Sequence, residues 1–202
     1  MLRLVYKILI GAVSLAPIFA VADDTKVSVY LLASQPAETN EETPSSLYKS
    51  VSENLEAYLL TQNISVISGN QMNSGMPKFD KQTIKQMIKR SSLNESDFGI
   101  SYAITPILSE TSFSRTLKVS ASGAIYNPAS GDVITTFTAT ATDTKTLPKN
   151  KAECGNTCVN NALSEMSYDL SREMSFVLGQ KLHFIQEDRA VTDITSAHAI
   201  KN

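Results

Sequence analysis

From Phe98 to Thr142 the chain alternates apolar and polar positions in three successive runs. Phe98, Ile100, Tyr102 and Ile104 share one face of the first. Leu117, Val119, Ala121 and Ile125 share a face of the second, opposed by Lys118, Ser120 and Ser122. Val133, Thr135, Phe137, Ala139 and Ala141 share a face of the third, opposed by Ile134, Thr136, Thr138, Thr140 and Thr142. A period of two is the signature of a half-buried strand. The polar connection Ser109 to Ser114 and the turn Asn127 to Asp132, with Gly131 available for a positive φ, join the runs into an antiparallel meander. Pro106 either ends regular pairing or marks an edge. Gly123 marks a bulge or a close approach of backbone. The threonine face of the third run is a solvated strand surface that can also receive another chain.

The rest of the chain reads as helices and short strands laid against this meander. Lys26 to Ser34 is apolar on both faces, which fits a strand central in a sheet. Thr43 as N-cap and Pro44 in the first turn open a helix whose stripe is Leu47, Val51, Leu55, Tyr58 and Leu59. Gln62 and Asn63 end it, and Ile64 to Ser68 is a strand by length. Asp80 caps a second helix with Ile84, Met87 and Ile88 inward. After a charged loop from Leu147 to Asn156, a long helix runs from about Thr157 to Leu182 on Ala162, Leu163, Met166, Leu170, Met174, Val177, Leu178 and Leu182. The order is βαβαβββα. The expected fold is α+β: one mixed sheet with an antiparallel three-strand meander, packed by two to three helices.

The first residues change the picture of where this domain works. Arg3 and Lys7 precede a short apolar run from Ile8 to Phe19, and Ala20-Val-Ala22 has the small-x-small form of a signal-peptidase site. The expectation is a signal peptide over 1–22, cleaved near Ala22, one domain over 23–182, and a flexible polar tail over 183–202. The apolar run falls short of the roughly 20 residues of a membrane span, and no transmembrane segment is expected in the mature chain. The expected location is the periplasm.

Charge is nearly balanced, 18 basic against 20 acidic side chains. No basic stripe points to nucleic acid. Lys81, Lys85, Lys89 and Arg90 cluster on the second helix, as a solvated face or an anion site. Cys154 and Cys158 are the only cysteines. In an exported chain such a pair is expected to form a disulfide that pins the start of the last helix, with a redox pair or half a metal site as alternatives. Met72 and Met76, in the loop Gly69 to Phe79, are adaptable side chains suited to partner contact or to capping the core edge. Phe184, Ile185, Val191 and Ile194 are apolar positions in the tail that can dock on a partner.

Three passages carry a family resemblance: the helix Leu47 to Gln62 followed at once by Ile64 to Ser68, the entry Asp97 to Pro106, and the hairpin Leu117 to Ile134 with Gly131 at its turn. In order and pattern these resemble the envelope fold shared by the curli-secretion subunit CsgG, the penicillin-binding-protein activator LpoB and the amino-terminal domain of TolB. Many such relatives are lipoproteins, but no cysteine follows the leader here. No pair of long alternating segments is left over for a membrane barrel. The resemblance implies a non-enzymatic envelope protein that binds or assembles with other components, with an envelope protein partner or copies of itself.

Candidate chemistry agrees with that implication. His183 and His198 both follow the last core helix, and no His-x-x-x-His or Gly-x-Ser-x-Gly occurs. No cofactor or metal is expected. The leading expectation is a periplasmic binding or scaffold protein that assists assembly of an envelope machine, with Met72, Met76, Thr136, Thr138 and Phe184 as partner contacts. Two alternatives are a periplasmic carrier or peptide-binding subunit of a secretion, pilus or conjugation system, and an exported hydrolase.

Overall fold

The computed structural model describes residues 26–35, 43–68, 80–91, 95–150 and 154–199, with side chains as far as Arg189. The order is β1 (Val27–Ala33), α1 (Ser45–Thr61), β2 (Ile64–Ser68), α2 (Lys81–Ser91), β3 (Phe98–Glu110), β4 (Arg115–Tyr126), β5 (Val133–Thr140), β6 (Lys145–Leu147) and α3 (Asn156–Ala199). The strands form one mixed sheet in the order β2-β1-β3-β4-β5, and β6 pairs with β4 beyond the end of β5. β1 lies between β2 and β3, the central position its two apolar faces predict, and runs parallel to both. β3, β4 and β5 form the antiparallel meander. The α+β expectation therefore holds, with one added strand. β6 escapes the sequence pattern because three residues are too few to show a period. It pairs with Arg115–Leu117 and buries only Leu147.

One face of the sheet carries the core. Val29, Leu31, Ile100, Tyr102, Ile104, Val119, Ile125 and Phe137 pack there against α1 and α3. From α1 come Leu47, Tyr48, Val51, Leu55 and Leu59. Tyr48 replaces the expected Tyr58, which is only half-buried and packs tilted against Tyr168 of α3, with ring centroids 5.5 Å apart. α3 supplies Leu163, Met166, Leu170, Met174, Leu178 and Leu182. It also carries a buried row of small residues: Ser167, Ser171 and Ser175. Ser171 Oγ donates to the Val51 carbonyl at 3.1 Å, and a Cβ at Gly179 would overlap the Gln62 side chain. Small side chains let two helix backbones approach closely. On the opposite face α2 touches the sheet mainly through Ile88, which sits over Gly99; a Cβ there would lie 2.7 Å from Ile88 Cδ1.

Several local expectations are corrected. Thr43 does not cap α1. Pro44 occupies that position without a side-chain bond, and Thr43 Oγ1 donates instead to the Ile104 carbonyl at 3.1 Å. Pairing does not stop at Pro106: β3 continues beside β4 to Glu110↔Arg115. Gly123 is a close approach, since a Cβ would overlap the Ser101 carbonyl and sit 2.7 Å from the Phe137 ring. The register shift falls opposite Ile125/Tyr126 instead, where Ile134 of β5 is the extra residue. α3 does not end at Leu182 but continues through His183 to Ala199. The polar positions there read as a tail, yet they extend a helix whose inner flank still carries half-buried Ile185. Gly131 takes φ +70° as its turn requires.

The point where β1 ends is closed by side chains. β1 pairs with β3 only as far as Ala33↔Tyr102. Ser34 N–H still reaches the Tyr102 carbonyl, at 2.9 Å. Two residues on, no strand among the described residues pairs with Ile104 on that side. Its N–H donates to Tyr48 Oη at 2.9 Å, and Tyr48 Oη donates to the Ser34 carbonyl at 2.7 Å. Burial pushes the Tyr48 hydroxyl up to about 12, so it keeps the proton it donates. By the same alternation Pro106, which lacks an N–H, turns its nitrogen toward this unpaired side. Replacing Tyr48 with Phe strands two buried backbone groups. The expected loss is about 1–3 kcal/mol, read as a lower urea midpoint at unchanged slope.

Candidate functional site

Between the start of β5 and the later turns of α3 lies a groove of about 640 Å³. Ile134 and Thr135 form one wall; Gln180, Lys181, Phe184, Ile185, Asp188 and Arg189 form the other. The strand wall is fixed by the turn Asn127 to Asp132, which starts β5 just before the register shift that leaves Ile134 as its extra residue. The helix wall is fixed because Leu178 and Leu182 are locked into the core one turn away. The Arg189 guanidinium lies 4.6 Å over the Phe98 ring, which anchors the end of the groove to β3. Phe184 is 70% exposed and Ile134 38% exposed. The site is therefore an open apolar trough with Lys181, Asp188 and Arg189 on its rim, suited to holding an apolar side chain of a larger ligand.

The residues marked as partner contacts separate in space. Phe184 lines the groove. Thr136 and Thr138 belong to the same strand as Ile134, but their exposed side chains stand on the other face of the sheet from Phe137 and the core. Met72 and Met76 lie outside the described residues. Ile134 carried no role in the sequence pattern beyond membership of the threonine face. Its partner across the groove is about 50 residues away, and no local signal joins them. Other exposed apolar side chains are Phe113, 93% exposed, at the β3–β4 turn, and Ile107 and Leu108 near the end of β3.

Cys154 and Cys158 form a disulfide at the opposite end of α3 from the groove. Arg115, buried at the start of β4, donates from Nη1 to the Cys154 carbonyl at 3.2 Å and lies 3.3 Å from Glu110 through Nε. Lys145 of β6 pairs with Glu165 at 2.9 Å. Together these contacts tie the first turns of α3 to the sheet. The basic cluster of α2 is partly committed to structure. Lys85 Nζ meets Asp132 Oδ1 at 2.7 Å, and the side chains of Lys85 and Lys89 lie against Gly131. Among the described residues no group of three or more His, Cys, Asp or Glu is gathered as a metal site, and no helix is long and apolar enough to cross a membrane.

No family model matches the chain, and no curated protein does. Solved structures do. A minor lipoprotein from Acinetobacter baumannii is 12% identical over 77% of this chain and 94% of its own, with a TM-score of 0.44. The PelC dodecamer from Paraburkholderia phytofirmans is 11% identical over 75% and 86%, with a TM-score of 0.43. A lipoprotein from Neisseria meningitidis is 13% identical over 70% and 98%, with a TM-score of 0.42. These similar structures are bacterial lipoproteins and a PelC assembly. At such identities and scores they carry no argument about activity, location or assembly, and the narrower resemblance to CsgG, LpoB and TolB is not among them.

Two outcomes follow from the anchoring contacts. The Lys85 hydrogen bond holds the Asp132 carboxyl below the usual carboxylate range. A lowered folded-state pKa contributes stability above the unfolded value that is lost as pH falls through the folded one. In Lys85→Met the Asp132 carboxyl resonance is expected to titrate at higher pH, with the α2 signals no longer coupled to it. Replacing both cysteines with Ser is expected to cost about 2 kcal/mol in chemical denaturation, the chain-entropy value for so short a loop.

Proposed function

We propose that this protein is a non-enzymatic, exported binding or scaffold module of the cell envelope, acting in the periplasm on an envelope protein partner. The observation that carries the reading is the concave apolar groove between β5 and α3, where Phe184 and Ile134 stay open to solvent beside a charged rim. Exposing a large aromatic costs hydrophobic free energy that a partner recovers, and buried aromatic anchors dominate protein interfaces. The leader pattern supports export. The resemblance to CsgG, LpoB and the amino-terminal domain of TolB supports a role in assembling an envelope machine.

A photocrosslinker placed at Phe184 in intact cells tests the reading, with Lys118 on the opposite sheet face as control. The expected result is one discrete adduct to an envelope protein from position 184, lost in Ile134→Asp and absent from position 118. Equal labelling from both positions, or none from 184, overturns the groove as the binding site.

A further inference from the structure

We infer that the outer edge of β5 is a self-pairing surface, taking β5 of a second copy in antiparallel register to make one sheet across two chains. Three observations converge. First, the edge is open. Among the described residues β5 pairs only with β4. Ala141 N–H donates to the Val119 carbonyl at 3.0 Å, so odd-numbered residues here point their backbone at β4. Strand alternation then turns the N–H and C=O groups of Thr136, Thr138 and Thr140 outward. All three residues are exposed.

Second, the edge lacks the devices that keep strands apart. Exposed edges are ordinarily blunted by charge, proline or short length. β5 reads Val-Ile-Thr-Thr-Phe-Thr-Ala-Thr over 8 residues, with no charge and no proline. The sheet's other edge, β2, has only 5 residues.

Third, the strand and the helix flank beside it are complementary to themselves. A two-fold axis at Phe137 sets Thr136 opposite Thr138 of the second copy, within the part of β5 that pairs regularly with β4. The outward backbone groups of Thr136 and Thr138 then pair with those of the second copy through about four hydrogen bonds. Threonine beside threonine is a favourable cross-strand pair. The axis also puts both copies of α3 on the same face of the joined sheet. Glu173 stands at the C-terminal end of β5, where it accepts from Thr142 Oγ1 at 3.3 Å; Arg172 pairs with both Glu173 and Asp169 there, and with Asp143 beside them the end stays net acidic. Lys181 stands at the N-terminal end, on the groove rim. The antiparallel register brings the acidic end of one copy to the basic end of the other, at both ends of the seam.

The test uses the full mature chain and is independent of the envelope partner. Sedimentation equilibrium of the wild type is expected to give twice the chain mass. A monomer throughout overturns the proposal, while crosslinking at Phe184 still decides the partner reading separately. Thr138→Pro removes an outward N–H without touching the β4 ladder. With folding verified by circular dichroism, it is expected to raise the dimer dissociation constant about tenfold or more; an unchanged constant overturns the pairing. The double variants Thr136→Lys/Thr138→Lys and Thr136→Glu/Thr138→Glu do not depend on proline being tolerated. Each alone is expected to be monomeric, and an equal mixture to form heterodimers. Failure of the mixture to associate overturns the register.

Discussion

The antiparallel ladder between β3 and β4 is the constraint on which the other contacts depend. It runs from Gly99↔Tyr126 to Glu110↔Arg115 without interruption. β1 joins its outer side over the first half, and β5 then β6 divide its other side. Every place where a neighbour runs out demands a substitute for the missing backbone partner, because a buried unpaired amide is costly. Tyr48 and Thr43 supply it where β1 stops. Pro106 needs none. Arg115, at the last pair, turns its guanidinium to the disulfide turn. The side chains that look most specialised thus sit at the discontinuities of one ladder.

Much of this was legible. Alternation in the meander survives because each strand has one wet face and one dry face, so burial writes a period of two into the sequence. β1 is legible as central because Tyr30 and Leu32 leave it no polar face. Other features leave no period. Ser167, Ser171 and Ser175 look like solvent positions on a helix, and only the proximity of α1 makes them buried. Tyr48 lies one residue from the expected stripe and does its work through an oxygen rather than a ring. β6 is shorter than any pattern.

The groove was half legible. Phe184 stood out as an apolar residue in a polar stretch, and it does line the groove. The surrounding stretch read as a tail because its hydrophobic spacing thins after Leu182, while helix propagation needs only residues that do not oppose it. Ile134 was hidden among threonines. Thr136 and Thr138 were marked for one strand surface, whereas their outward backbone is the feature that bears on association. A backbone edge is set by topology, and topology is a property of the whole sheet rather than of any segment.

The strand that comes first in the chain is enclosed on both sides, by β2 and by β3, in parallel pairings that span long separations. The meander, by contrast, closes through near neighbours in sequence. Local hairpins form fast, and long-range parallel pairs wait on chain closure. β2, whose strand neighbour among the described residues is β1, joins the sheet only through it. Without β1, β3 is itself an open edge, with the backbone groups that face β1 unpaired. The leading strand thus guards the sheet against mispairing: any chain in which β1 is displaced presents the β3 edge to a wrong neighbour.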